Sequence, residues 1–285
     1  MSNFRRLLGY LRPYRFRVGV AVLLMVLVTL TALPMPRLTQ YVLDHALPQR
    51  DRHALVLVFW AIIGIYALRG IISFSLNYII GWLGQRVVFD LRYQSYRHIN
   101  RLSLSYYDKR QTGKIMARVV DDINVIQYMI TGGFVTLITD ILTLLIVIPV
   151  IFWMDWRLAA IAVAVVPVYV VTYKLFLRRI RELSEQLRTM WDALIGALQE
   201  KIAGITVVKA FVREDYETDR FMKTVADNFR LGMQQAKVNR TLGVAASTIR
   251  AVGTGLIYWA GTKYVWGRTL TPGELIAFTA YIGYL

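Results

Sequence analysis

The chain contains no cysteine. Without a thiol there can be no disulfide framework, no cysteine nucleophile and no cysteine-ligated zinc site. Histidine is also scarce, because His45, His53 and His98 are the only three, and their spacing is not the HExxH pattern of a zinc protease. We therefore expect no catalytic, cofactor-binding or metal site within this chain.

Acidic residues are few beside basic ones: 18 Asp and Glu stand against 34 Lys and Arg, for a net charge of +16. In a soluble protein this excess would suggest nucleic acid as a partner. Here the basic residues lie mostly between long apolar runs, so cytoplasmic loops and anionic lipid headgroups explain them more simply. The predicted partner is the lipid bilayer and not nucleic acid.

Long apolar runs dominate the chain, which is 56% hydrophobic. Runs of this length predict an all-α membrane protein with five full spans and part of a sixth. The predicted spans are residues 18–41, 54–84, 131–154, 158–177, 243–266 and 274–285. The last run is shorter than the roughly 20 residues that a bilayer requires. We therefore expect the sixth helix to be truncated and further chain to follow Leu285.

Proline interrupts the first predicted span at Pro34 and Pro36. Such a break is tolerated where neighbouring helices or water satisfy the freed carbonyl groups. Before this span, residues 3–16 place Phe4, Leu7 and Leu8 at helical spacing among arginines. This pattern favours an amphipathic helix on the membrane surface, and the alternative is an ordinary basic flank.

The distribution of basic residues predicts the orientation. The N-terminal flank and the intervals 85–130 and 174–250 hold twenty-seven Lys and Arg, against four in the opposite loops. The positive-inside rule then places the N-terminus and both long intervals in the cytoplasm.

The two long polar intervals, residues 85–130 and 178–242, contain no proline and are compatible with continuous helix. Loops of most membrane proteins only turn the chain and are short. Helices of this length would carry each membrane hairpin about 25 Å or more into the cytoplasm. We interpret them as levers between a cytoplasmic partner and the membrane, and the alternative is a solvated hairpin without a partner.

Each lever has a distinctive tip. In the first interval, residues 105–114 interrupt the helical pattern, and Asp108 and Gly113 suit a helix start and end. In the second, an apolar group around Phe211 is followed by acidic residues from Glu214 onward. A short apolar patch with an aromatic residue, set among charges, is typical of a docking surface.

These motifs together resemble the transmembrane domain of an ABC exporter, a six-span protein whose halves form a dimer. The residues 11–14 resemble its elbow helix. Residues 105–108, 112–113 and 118–123 resemble its first intracellular loop. Glu200, 204–205, 209–211, Glu214 and Phe221 resemble its second intracellular loop. The likeness covers almost the whole chain, and its specificity comes from the order and spacing of the motifs.

The resemblance implies that each tip is a coupling helix that fits a groove on a nucleotide-binding domain. The implied contact residues are Tyr106, Tyr107, Asp108, Thr112 and Gly113 in the first tip, and Ala210, Phe211, Glu214 and Asp215 in the second. The ATP-handling motifs of the family are missing, since Gly255 to Lys263 lacks the spacing of a phosphate-binding loop. ATP and Mg²⁺ are therefore expected in a nucleotide-binding domain, either fused after residue 285 or separate.

Two ionisable residues fall inside predicted spans. Arg69 in the second and Asp140 in the third are each fifteen residues from the outer end of their span. At equal rise they lie at the same depth, about 22 Å from that end. They form a possible intramembrane pair or face one aqueous cavity, although each could equally have its own partner.

A stripe of small residues runs along the fifth predicted span at steps of four: Gly243, Ser247, Ala251 and Gly255. Small side chains let another helix approach closely, so helix packing is favoured over a substrate path.

The sequence thus predicts one half of an ATP-driven exporter that works by alternating access, in a bacterial plasma membrane. Its implied partners are a nucleotide-binding domain and a second half. Two other functions stay open, a receptor-like or structural membrane protein with a non-ATPase partner and a secondary transporter. The residues do not distinguish lipid, drug or peptide substrates, or a homodimer from a heterodimer.

Overall fold

The computed structural model describes residues 9–103 and 123–284, and every regular element within them is helical. The predicted all-α class is confirmed. The main helices are α1 (Arg15–Ala32), α2 (Pro34–Tyr41), α3 (Arg52–Ile99), α4 (Phe134–Met154), α5 (Trp156–Ala203), α6 (Ile205–Ala210), α7 (Glu214–Trp266) and α8 (Pro272–Ile282). A 3-10 turn, Arg12–Tyr14, precedes α1, and the π-helical segments Val42–Ala46 and Met129–Gly133 follow α2 and precede α4.

Four helical segments are long and apolar enough to cross a membrane, as judged by length and composition: Gly9–Ala46, Arg52–Ile99, Ile123–Met154 and Trp156–Ala203. They contain the first four predicted spans. The predicted fifth span is the C-terminal part of α7, where Arg250, Lys263 and several glycines and threonines lower the hydropathy. The predicted sixth coincides with α8, and the six-span count stays a prediction.

The helix break at the prolines lies between α1 and α2, at Leu33. The Tyr281 hydroxyl of α8 donates a hydrogen bond of 2.6 Å to the Leu33 carbonyl. The Tyr284 hydroxyl donates to the Ala32 carbonyl at 3.4 Å. The two carbonyl groups at the interruption thus accept hydrogen bonds from Tyr281 and Tyr284. Such donors from elsewhere in the fold allow a helix break inside a bilayer.

The chain divides into two compact units, residues 1–156 with 261–285 and residues 157–260. In the first unit, α1 packs on α3 through a buried cluster of Ala21, Met25, Leu76 and Ile80. A second cluster joins α3 to the helical residues before α4: Val87, Val88, Leu91, Ile123 and Ile130. Most of the remaining apolar surface on these helices is exposed, as expected where lipid is the solvent.

The segment before α1 is anchored on α3 by polar contacts. Tyr14 donates a short hydrogen bond to the Asp90 carboxylate, and Arg86 Nε donates to the Tyr14 oxygen at 3.1 Å. The Arg17 guanidinium lies 3.4 Å from the centre of the Trp82 ring, a cation–π contact. These contacts fix the entry of the chain into α1. Residues 3–8 of the predicted surface helix, residues 3–16, lie outside the described residues.

The second unit consists of α6 and the parts of α5 and α7 on either side of it. Gln235 Nε2 on α7 donates to Ser184 Oγ on α5 at 2.6 Å. Gly253 on α7 packs against Val165 on α5 so closely that a Cβ at residue 253 would lie 3.1 Å from Val165 Cγ2. The two long helices are thus connected at separated points along their length.

Candidate coupling site

The site is built around α6, which joins two long helices of 48 and 53 residues, α5 and α7. Gly204 separates α5 from α6: its N–H donates to the Glu200 carbonyl at 2.9 Å, and its carbonyl accepts from the Val207 N–H at 2.9 Å. One residue therefore ends the first helix and begins the next. The chain therefore passes from the long helix α5 to the short helix α6 at Gly204.

The C-terminus of α6 is a Schellman motif. The Arg213 N–H donates to the Val208 carbonyl at 3.0 Å, and the Val212 N–H donates to the Lys209 carbonyl at 3.2 Å. Val212 occupies the left-handed position with φ of 51°. Glycine is usual there, and a β-branched residue in this conformation is strained. The backbone thus holds a strained valine at the exposed end of α6.

The surface of the tip is apolar and open. Phe211 is 72% exposed and Val212 is 82% exposed. Other exposed apolar side chains nearby are Ile202, Ile205 and Val207. Ala210, which is also exposed, lies between Val207 and Phe211 in the chain. The apolar tip, defined as Ile202, Ile205, Val207, Phe211 and Val212, is a patch of the kind that marks a protein contact when charged residues surround it.

Two ion pairs lie beside the apolar tip. Lys209 Nζ lies 2.9 Å from Glu214 Oε1, and Lys201 forms an ion pair with Glu217. The hydrogen bond and the negative charge of Glu214 raise the pKa of Lys209, and the hydrogen bond from Lys209 lowers the pKa of Glu214. Glu214 and Asp215 begin α7, where the helix dipole favours negative charge.

The strained valine gives a testable expectation. Val212→Gly should raise the free energy of unfolding by about 1 kcal/mol, because glycine removes the ~1–2 kcal/mol cost of a left-handed residue but loses some chain entropy. The matched control Val207→Gly lies within α6 and should lower it by about 1 kcal/mol. Thermal unfolding of the purified protein measures both changes. A lower midpoint for Val212→Gly would contradict the assignment of strain.

The first predicted tip lies outside the described residues. Tyr106, Tyr107, Asp108, Thr112 and Gly113 all fall between residues 103 and 123. Their contact with a nucleotide-binding domain stays a prediction.

A family comparison covers nearly the whole chain. The model of the ABC transporter transmembrane region matches residues 18–285. The chain belongs to this ABC transporter family. The resemblance inferred from the two interval tips and the N-terminal motif is thereby confirmed.

Relatives of this ABC transmembrane region carry names that mention ATP. An ATP-dependent lipid A-core flippase of Syntrophus aciditrophicus is 30% identical over 98% of this chain and 46% of its own length. An uncharacterised ABC transporter ATP-binding protein of Bacillus subtilis is 31% identical over 98% of this chain and 46% of its own. A Staphylococcus aureus protein named for multidrug export as an ATP-binding/permease protein is 25% identical over 98% and 49%. The chain spans about half the length of these curated relatives.

The residues of this ABC transmembrane region do not fit ATP or Mg²⁺. The sequence has no glycine-rich phosphate loop with its following lysine. Within residues 9–103 and 123–284, no group of three or more acidic or histidine side chains could hold a metal ion. ATP and Mg²⁺ in a nucleotide-binding domain stay a prediction.

The two charges predicted to lie within the membrane are on different helices of the first unit. Arg69 on α3 is half-buried, and Asp140 on α4 is exposed. The ion pairs found among the described residues include neither side chain. Their pairing, or their shared cavity, stays a prediction.

The small residues of the predicted packing stripe are exposed in the described part of the chain. Gly243, Ser247, Ala251 and Gly255 are exposed, and a Cβ at either glycine would meet no atom within 4 Å. Within the second unit, Gly253 packs closely against α5, and it lies two residues before the end of the stripe. Sequence spacing missed it because it lies on another face of α7.

Two further features of the apolar tip were missed by sequence reasoning. Valine is not a residue type that indicates a left-handed conformation, so the sequence did not predict the conformation of Val212. Lys201 and Glu217 lie sixteen positions apart, so helical spacing could not pair them. The turn at Gly204 alone could have suggested that the helices on either side of α6 approach each other.

Proposed function

We propose that the chain is the membrane-spanning half of an ATP-driven exporter that moves a substrate by alternating access. Membership of the ABC transporter transmembrane region family supports this proposal. The names of the relatives, a lipid A-core flippase and a multidrug export protein among them, support export as the direction. The complete exporter would also contain a second membrane-spanning half and a nucleotide-binding domain with ATP and Mg²⁺.

The observation that carries the proposal is the exposed apolar tip at the junction of α5 and α7. At about 1.5 Å per residue, α5 is about 72 Å long, well over the ~30 Å hydrocarbon core. The part of α5 beyond the bilayer is long enough to act as a lever. Phe211 and its apolar neighbours at the lever end supply a surface that a nucleotide-binding domain could grip.

The chain's own residues would transmit movement without performing chemistry. A closing motion of the nucleotide-binding domains would pull on the apolar tip, and α5 and α7 would carry the displacement into the membrane. The hydrogen bond of Gln235 to Ser184 couples the two helices, so they would move together. The central cavity would then turn outward and release the substrate.

The excess of basic residues in the N-terminal flank and the long intervals supports a cytoplasmic location for both. We place the protein in a bacterial plasma membrane, with the substrate leaving the cytoplasm or the inner leaflet.

The direct test is ATP hydrolysis by the full-length protein in lipid nanodiscs. We expect ATPase activity that lipid, drug or peptide candidates stimulate, together with accumulation of the same compound in inverted vesicles. A correctly folded full-length complex without ATPase activity would contradict the proposal. Transport that runs on an ion gradient without ATP would point to a secondary transporter instead.

A further inference from the structure

A small cavity of about 190 Å³ lies in the first unit where helices end. Met154 is the last residue of α4, and Glu274 is in the first turn of α8. Arg37 of α2 also lines it. The cavity is lined by Arg37, Trp153, Met154, Leu270, Glu274 and Phe278. It therefore combines one cation and one anion with an apolar wall.

The Arg37 side chain is oriented by its neighbours and keeps donors for a ligand. Its guanidinium lies 5.5 Å from the centre of the Trp153 ring, and Nη1 donates to Gln40 Oε1 at 2.9 Å. The Tyr281 hydroxyl lies beside it. A guanidinium has five N–H donors in a planar fork that matches phosphate oxygens. These contacts leave donors that can reach an anion in the cavity.

Glu274 supplies the negative charge of the cavity. One carboxylate oxygen, Oε2, accepts from the Thr271 N–H at 2.8 Å, and the Thr271 hydroxyl accepts from the Glu274 N–H at 3.0 Å. This capping box fixes the side chain at the start of α8. A carboxylate offers about four acceptor positions, so Glu274 can also accept from an ammonium group.

Exposed tryptophans favour a position of the cavity at the level where a membrane meets water. Trp153 is 82% exposed at the end of α4, and Trp266 is 80% exposed at the end of α7. Exposed tryptophans at the ends of apolar helices mark the headgroup level of a bilayer. Leu270 and Phe278, both buried, form the apolar side. An amphiphile could thus place its headgroup between the charges and its chain along the apolar wall.

We propose that this cavity binds the headgroup of a zwitterionic aminophospholipid. The phosphate would accept hydrogen bonds from Arg37, and the ammonium group would donate to Glu274. The two protein charges balance, so a headgroup with both signs leaves neither side chain unpaired, whereas a purely anionic headgroup would face Glu274. A headgroup over Arg37 and Glu274 also pairs both charges at the edge of the hydrocarbon, beyond which an unpaired charge is costly.

The test is native mass spectrometry of the full-length protein with retained phosphatidylethanolamine or phosphatidylglycerol. The unaltered protein should retain phosphatidylethanolamine in preference. Arg37→Gln should weaken retention of both lipids by about tenfold, the scale of a lost charge-assisted hydrogen bond. Glu274→Gln keeps the capping box, because glutamine also serves at that position. The Glu274→Gln variant should therefore lose the preference for phosphatidylethanolamine and still retain phosphatidylglycerol.

The control variant is Arg52→Gln, which removes an exposed cation at the start of α3, away from the cavity. It should retain both lipids as the unaltered protein does. Equal losses for Arg37→Gln and Arg52→Gln would overturn the proposal, as would an unchanged preference in Glu274→Gln. Arg37→Lys, which preserves the charge, separates a lost phosphate contact from misfolding, because it should restore at least part of the retention. Free phosphoethanolamine binding as tightly as the lipid would overturn the assignment to a lipid.

Discussion

Phe211→Ala should uncouple ATP hydrolysis from transport in the full-length protein while leaving the helical bundle folded. Phe211 is 72% exposed, so its truncation removes little buried surface within this chain. Buried in a partner's groove, however, an aromatic anchor of this kind commonly contributes at least about 2 kcal/mol. We therefore expect the affinity of the nucleotide-binding domain for the tip to fall by about thirtyfold, and the substrate transported per ATP hydrolysed to fall as a result.

The matched control is Phe229→Ala. Phe229 is also an exposed phenylalanine on the second unit, at 67%, but it lies on α7 away from the tip. Transport and substrate-stimulated ATPase activity are measured for both variants in the same vesicles, and thermal unfolding reports whether each is folded. Unchanged coupling in Phe211→Ala, or equal loss in Phe229→Ala, would remove Phe211 from the contact.

Gly273→Ala should lower the free energy of unfolding by about 3 kcal/mol, because it breaks the contact between Asp44 and the start of α8. The Asp44 carboxylate accepts hydrogen bonds from the Thr271 hydroxyl and, at 2.9 Å, from the Gly273 N–H. A Cβ at residue 273 would lie 2.6 Å from the Asp44 carboxylate. The carboxylate would have to move, and each charge-assisted bond that is lost costs about 1.5–3 kcal/mol.

The measurement is thermal unfolding in nanodiscs, with Gly64→Ala as the control. A Cβ at residue 64, inside α3, would meet no atom within 4 Å, so alanine should be neutral or stabilising by about 1 kcal/mol. A double-mutant cycle isolates the contact: Gly273→Ala should cost far less when Asp44→Ala is already present. Equal costs in both backgrounds would show that the clash is not with Asp44.

The local features of the chain followed from sequence. Long apolar runs predicted helices, because a single spanning segment in a bilayer must form its backbone hydrogen bonds within itself. Pro34 and Pro36 predicted the break between α1 and α2, since each lacks an N–H group. The apolar group around Phe211 with the acidic run after it predicted a distinct tip, and the structure has the short helix α6 there. The contact residues of both tips stay predictions.

Packing between distant residues could not be read in this way. Asp44 and Gly273 are 229 positions apart, and no periodicity joins them. Small-residue spacing drew attention to Gly243 through Gly255, whereas Gly253 makes the close contact in the second unit, because the rotation of α7 against α5 decides which glycine is covered. The left-handed Val212 is likewise set by the hydrogen bonds that close α6 and not by its side chain.

The sequence by itself determined that this is a helical membrane protein of the ABC transporter family, because hydropathy and motif order are properties of the chain alone. Only the tertiary structure decided that Tyr281 satisfies the carbonyl at the proline break and that Arg37 and Glu274 line one cavity. Side chains far apart in sequence meet only after the helices have packed, since packing fixes their rotation and their depth. That is why the cavity of Arg37 and Glu274 had no signal in the sequence.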